Sequence, residues 1–208
     1  MEAILDLYEE PHDPKQPVIC FDERPCQLVG HTRDPLPMEK GNPERRDHEY
    51  ERKGMAHLFV AFEPLGGWRS VEVSTRRRSK EFALAIARLA EEDYPEAEKI
   101  RLVVDNLNVH TPASFYEAFE AKRARELTQK IEFCYTPVHG SWLNMVEIEI
   151  SVLVRQCLRR RIPDADTLRR EAQAWCEERN RLEASVDWRF TTDDARTKLR
   201  KLYPSIES

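Results

Sequence analysis

The chain has 208 residues, of which 40% are hydrophobic and 34% charged, with a net charge of −5. That is enough for one domain with a sizeable core, and it excludes a spanning helix, because no apolar run approaches the roughly 20 residues needed. The acidic balance argues against a protein that only coats nucleic acid. The five cysteines (Cys20, Cys26, Cys134, Cys157, Cys176) are odd in number, have no C-x-x-C spacing, and read as reduced cytosolic thiols.

Met1 to Glu10 carries acids and no basic region of the kind that opens a signal peptide. Residues 1–16 read as a lead-in, with a short helix over Ala3 to Tyr8. Pro17 to Glu23 is predicted as the first strand. Alternation puts Val18, Cys20 and Asp22 on one face and Ile19, Phe21 and Glu23 on the other. Residues 25–55 are rich in Pro, Gly and charge, and are expected to form a long insertion loop, either substrate-facing or simply a flexible excursion. Met55 to Phe62 and Trp68 to Ser74 then make a hairpin around Glu63-Pro64-Leu65-Gly66-Gly67.

Ser79 to Asp93 has a helical stripe of Phe82, Ile86, Leu89 and Ala90, and Pro95 follows its end. Ile100 to Val104 is an apolar run that breaks into Asp105-Asn106-Leu107-Asn108-Val109-His110. It reads as a strand buried on both faces, with polar groups just past its carboxyl end, where open α/β sheets place their ligands. The alternative is an Asn-rich turn capped locally by Asp105. A helix is expected from Pro112 to about Gln129, with Phe115, Tyr116 and Phe119 on its core face, and then a strand over Ile131 to Tyr135. Thr136 to Asn144 is a loop, and a helix runs from about Leu143 to Leu158. The C-terminal helices occupy 164–208. One of them carries Leu168, Ala172, Trp175 and Cys176 inward; the last opens on a capping box at Thr191-Thr192-Asp193-Asp194. The order β-β-β-α-β-α-β-α predicts an α/β fold, a mixed sheet flanked by helices.

Asp22 and Asp105 end strands that, as neighbours, would hold two carboxylates about 5 Å apart. A divalent cation relieves their repulsion, and hard oxygen ligands suit Mg²⁺ or Mn²⁺. Glu147, early in its helix, is the candidate for a third acid. Its competitor Glu149 lies about 200° further round the axis, so one site takes only one of them. Arg76, Arg77 and Arg78, like Arg159 to Arg161, are either solvated faces or phosphate contacts.

The stretches Cys20-Phe21-Asp22-Glu23, Val103 to His110 and Ser141-Trp142-Leu143-Asn144-Met145-Val146-Glu147 resemble the three acidic blocks of insertion-sequence transposases in the mariner-like branch of the DDE superfamily. The resemblance spans about Pro17 to Pro204. It implies an RNase H-like fold, with Asp22, Asp105 and Glu147 as catalytic acids holding two Mg²⁺ or Mn²⁺ ions for phosphodiester hydrolysis and strand transfer. It also implies DNA partners (transposon ends and target), a homodimer, TA-rich targets and a prokaryotic cytoplasmic setting on the nucleoid, with no membrane and no organic cofactor. Asn106, His110, His139 and Asn144 fall inside the matching motifs and are expected to position the acids. Trp142 stands where many relatives have Pro, and with Arg76 to Arg78 is a candidate DNA contact. Only about 20 residues precede the first acid, so residues 1–208 are expected to be a single catalytic domain without the family's N-terminal helix-turn-helix region. The same acids also allow a stand-alone nuclease or resolvase, or a non-catalytic DNA-binding or dimerising remnant. The Cys and His spacings match no zinc pattern.

Overall fold

The computed structural model describes residues 1–33, 38, 40–42 and 48–203. Helix α1 (Glu2–Glu9) is followed by strands β1 (Val18–His31), β2 (Tyr50–Glu63) and β3 (Trp68–Ser74). Helix α2 (Ser79–Arg88) widens into a π-helical turn at Leu89–Asp93, and β4 (Ile100–Val104) follows. Next come α3 (Ala113–Ala118), α4 (Ala121–Lys130), β5 (Ile131–Tyr135) and a 3-10 turn at Ser141–Leu143. Then come α5 (Val146–Leu153) with a π turn at Val154–Leu158, α6 (Ala165–Arg181) and α7 (Thr192–Lys198). The strands form one sheet in the order β3-β2-β1-β4-β5. β1, β2 and β3 are an antiparallel meander, while β4 and β5 run parallel to β1. This is the expected mixed α/β sheet.

The two faces of the sheet carry two cores, and strand alternation assigns residues to them. Ile19 and Phe21 pack with Phe59, Leu102 and Val104 against Phe82 and Ile86 of α2 and Phe115 of α3. Cys20 packs with Leu58, Val60, Phe62 and Val103 on the other face, against α1, α5, α6 and Ala195 of α7. β4 is flanked by parallel partners and all five of its residues are buried, which is why it reads as an unbroken apolar run. Asp164 caps α6 by accepting from the Thr167 amide at 2.7 Å, and Thr191 with Asp194 forms the predicted capping box of α7.

Three expectations are corrected. Both ends of the expected 25–55 loop are strand: β1 continues through Pro25 to His31 and pairs with β2 from Tyr50 onward, while 34–37, 39 and 43–47 lie outside the described residues. β4 pairs with β1 only as far as Cys20, so past that point β1 has an open edge, where a Pro lacking its N–H is tolerated. The register of this long hairpin slips at Leu28/Val29, where β2 carries an extra residue beside Gly54, whose φ of 119° suits glycine. Secondly, the single helix expected over 112–129 is two helices. Phe119 and Glu120 adopt extended backbone between them, though no Gly or Pro marks the break. Finally, Phe115 is fully buried but Tyr116 is 52% exposed, so it is not part of the core face.

Candidate functional site

Parallel pairing sets Ile19 beside Leu102 and Cys20 beside Val103. Two residues on, Asp22 and Asp105 emerge at the same level of neighbouring strands, just past the end of β4. Each is anchored through one oxygen. The Glu23 amide donates to Asp22 Oδ1 at 2.7 Å. Asp105 Oδ1 takes the Leu107 amide at 3.2 Å and meets His110 Nδ1 at 2.7 Å. Among the described residues, the Oδ2 atom of each aspartate has no hydrogen-bond partner. Burial pushes the Asp22 carboxyl up to about 6; the Glu23 amide opposes this, and the charges of Glu23 and Asp105 add to it.

Glu147 and Ser151 of α5 line a cleft of about 240 Å³ together with Asp22, Glu23 and Arg24. What turns Glu147 to the cleft is its competitor. Glu149 is 1% exposed and takes Arg179 at 2.6 Å and Arg69 at 2.9 Å, which fixes the rotation of α5 against β3 and α6. Asn144, also buried, donates from Nδ2 to the Phe21 carbonyl at 2.9 Å and accepts from the Val146 amide at 3.4 Å. It thereby ties the start of α5 to β1, one residue before Asp22. Asn106 donates to the Thr136 carbonyl and joins the loop after β4 to the loop after β5.

His110 lies on the opposite face of the sheet from Asp22, fully buried against Phe82 at 4.7 Å between ring centroids. Its Nε2 meets Glu23 Oε1 at 2.8 Å. Burial works against its charged form, but the carboxylates of Glu23 and Asp105 outweigh burial and raise its pKa. Glu23 was not among the candidates from sequence. The signal was there: alternation placed an acid on the face of Ile19 and Phe21, and an acid on an apolar face requires a buried partner.

The remaining candidates are scattered. His139 is exposed, with φ at 63°, and its ring makes no hydrogen bond among the described residues. Trp142 is 41% exposed, with its ring edge-on to Phe190 at 5.7 Å. Arg76, Arg77 and Arg78 are exposed in the connection after β3. Ser74 lies opposite His57, and His57 opposite Pro25, so β3 ends at the sheet end that carries Asp22 and Asp105. Two strand spacings, roughly 10 Å, separate β3 from β1. Arg160 and Arg161 of the second arginine run pair with Glu171 and His31.

Asp22, Asp105 and Glu147 offer only hard carboxylate oxygens, a donor set that fits Mg²⁺ or Mn²⁺. As they stand, no three His, Cys, Asp or Glu side chains among the described residues are close enough to chelate an ion. The set is therefore open, with two aspartates abreast and the glutamate in the adjoining cleft.

A family model described as DDE superfamily endonuclease matches residues 17–169. The chain belongs to that family. Similar solved structures include the Mos1 mariner paired end complex with Mn, at 14% identity and a TM-score of 0.56 over 88% of this chain and 54% of that one. A Mos1 transposase paired-end complex with the left transposon end gives 15% identity and a TM-score of 0.55 over 88% and 55%. The fold of this DDE domain is thus that of the transposase catalytic domain, the RNase H-like sheet that the motifs implied. The chain spans about half the length of these transposases. No curated protein matches it. Among the described residues, no helix is long and apolar enough to cross a membrane.

Proposed function

We propose that this DDE domain is the catalytic domain of a mariner-like insertion-sequence transposase, hydrolysing DNA phosphodiesters and joining a 3′-hydroxyl to target DNA. The observation that carries the reading is the pair Asp22 and Asp105, level on neighbouring strands, each held by one oxygen, with the other unpaired among the described residues. The likeness to transposase–DNA end complexes, one containing Mn, supports it.

Asp22 and Asp105, with Glu147, would hold two Mg²⁺ or Mn²⁺ ions. When bound, these ions activate a water or a 3′-hydroxyl and offset charge on the leaving oxygen. The rest falls to the chain. Asn144 keeps α5, and so Glu147, against the strand of Asp22. Asn106 holds the loop that follows Asp105. Arg24, exposed on the cleft wall, meets a phosphate next to the acids. Arg76 to Arg78 and Trp142 extend the contact with DNA at the same sheet end. Such an enzyme works as a homodimer that brings two transposon ends together, on the nucleoid of a prokaryotic cytoplasm.

Nicking of supercoiled plasmid in Mn²⁺, followed by joining of a labelled 3′-hydroxyl oligonucleotide to that plasmid, tests the reading. Wild type is expected to do both and Asp105→Asn neither. Nicking without joining would favour a stand-alone nuclease, and neither reaction would leave a DNA-binding remnant.

A further inference from the structure

We propose that Glu23 is a positioning residue for Asp105, acting through His110. The inference rests on the metal-site reading above. Glu23 follows Asp22 on β1 and therefore points through the opposite face of the sheet. Its side chain is 1% exposed, and that of His110 is fully buried. The imidazole bridges two carboxylates, with Nε2 at 2.8 Å from Glu23 Oε1 and Nδ1 at 2.7 Å from Asp105 Oδ1.

Both ring nitrogens are committed, so the ring can neither turn nor flip without losing a carboxylate. Phe82 packs against one side of it and Phe21 stands edge-on at 6.2 Å. Tyr135 holds the backbone beneath by donating to the His110 carbonyl at 2.7 Å. Asp105 itself sits past the end of its strand, with a third of its side chain exposed and the 3.2 Å hydrogen bond from the Leu107 amide as its other restraint. Its Oδ1 is therefore pinned by His110, and the unpaired Oδ2 is left for a cation. β1 serves the site twice, contributing Asp22 on one face and the orientation of Asp105 on the other.

A purely stabilising ion pair is a poor explanation of this arrangement. Among the described residues, Glu23 Oε2 is buried with no hydrogen-bond partner. An apolar pair of similar volume would fill the space without that cost. Carboxylates and imidazoles behind a metal ligand orient it, and their removal typically weakens metal binding 10- to 100-fold.

Calorimetric titration of Mn²⁺ into wild type, Glu23→Gln, His110→Gln, the double variant and Asp105→Asn tests this, with the Tm of each metal-free protein measured alongside. We expect Glu23→Gln, while folded, to weaken Mn²⁺ binding about 10- to 100-fold, and the double variant to bind no more weakly than His110→Gln alone. Folded Glu23→Gln with wild-type affinity, beside Asp105→Asn with none, would overturn the proposal and leave the metal site standing. Effects that add in the double variant would overturn it too, since Glu23 would then act independently of His110. If Glu23→Gln fails to fold, His110→Gln decides by the same weakening or its absence. A wild type that takes up no Mn²⁺ overturns both the proposal and the reading beneath it.

Discussion

Asp22 shows most clearly how a site of this kind is held in tension. Burial raises its carboxyl to about 6, above the unfolded value near 4. A carboxyl raised on folding stabilises the chain while protonated, and that contribution is lost as pH climbs from about 4 through about 6. Above that range the metal-free protein carries a buried charge at a cost. Asp22→Asn is therefore expected to make the metal-free protein more stable at pH 8, by on the order of 1–3 kcal/mol, in urea unfolding. A drop in stability there would refute this explanation of its burial. The same proton competes with a cation, so Mn²⁺ affinity should fall as pH drops below about 6. Asp22 and Asp105 were legible in the sequence because each ends an apolar run. The role of Glu23 was not, because it depends on a histidine 87 positions away across the sheet.

At the scale of elements, α5 has two glutamates in opposite settings, Glu147 on the cleft and Glu149 in a buried ion pair. Glu149 is clamped by Arg69 and Arg179 in a nearly dry setting, and breaking such a buried pair from one side costs about 3–5 kcal/mol. Glu149→Gln should lower stability by that amount in denaturant unfolding. Glu147→Gln should leave stability close to wild type while abolishing DNA cleavage. The reverse pattern would exchange the two roles. The sequence showed that only one of the two could face the site, since their angular separation is fixed by helix geometry. Which one it was depended on partners contributed by β3 and α6. The β1–β2 hairpin departs from the expected loop for a related reason. Pro25 and the polar residues after it look like loop, and only the early end of β4 makes β1 an edge that accepts them. The break at Phe119 has no local marker and comes from packing, since Phe119 itself packs against the core under α2.

For the whole molecule, the proposed DNA partner has to be reconciled with a net charge of −5. The sheet does this by direction. β1, β3, β4 and β5 all run one way, so the acids and the exposed Arg76 to Arg78 share an end. Replacing these three arginines with serine should weaken duplex binding in fluorescence anisotropy. It should also flatten the salt dependence by about 0.9 in log–log slope for each phosphate no longer neutralised. An unchanged slope would place the DNA elsewhere.

Everything proposed for this domain depends on Asp22, Asp105 and Glu147 forming one metal site. Mn²⁺ calorimetry on wild type, Asp22→Asn, Asp105→Asn and Glu147→Gln examines that without knowledge of the DNA ends. Each change removes a charge and nearly preserves shape. Wild type is expected to bind, each aspartate variant to lose binding, and the glutamate variant to bind more weakly. Four folded proteins with the same affinity would contradict a shared site.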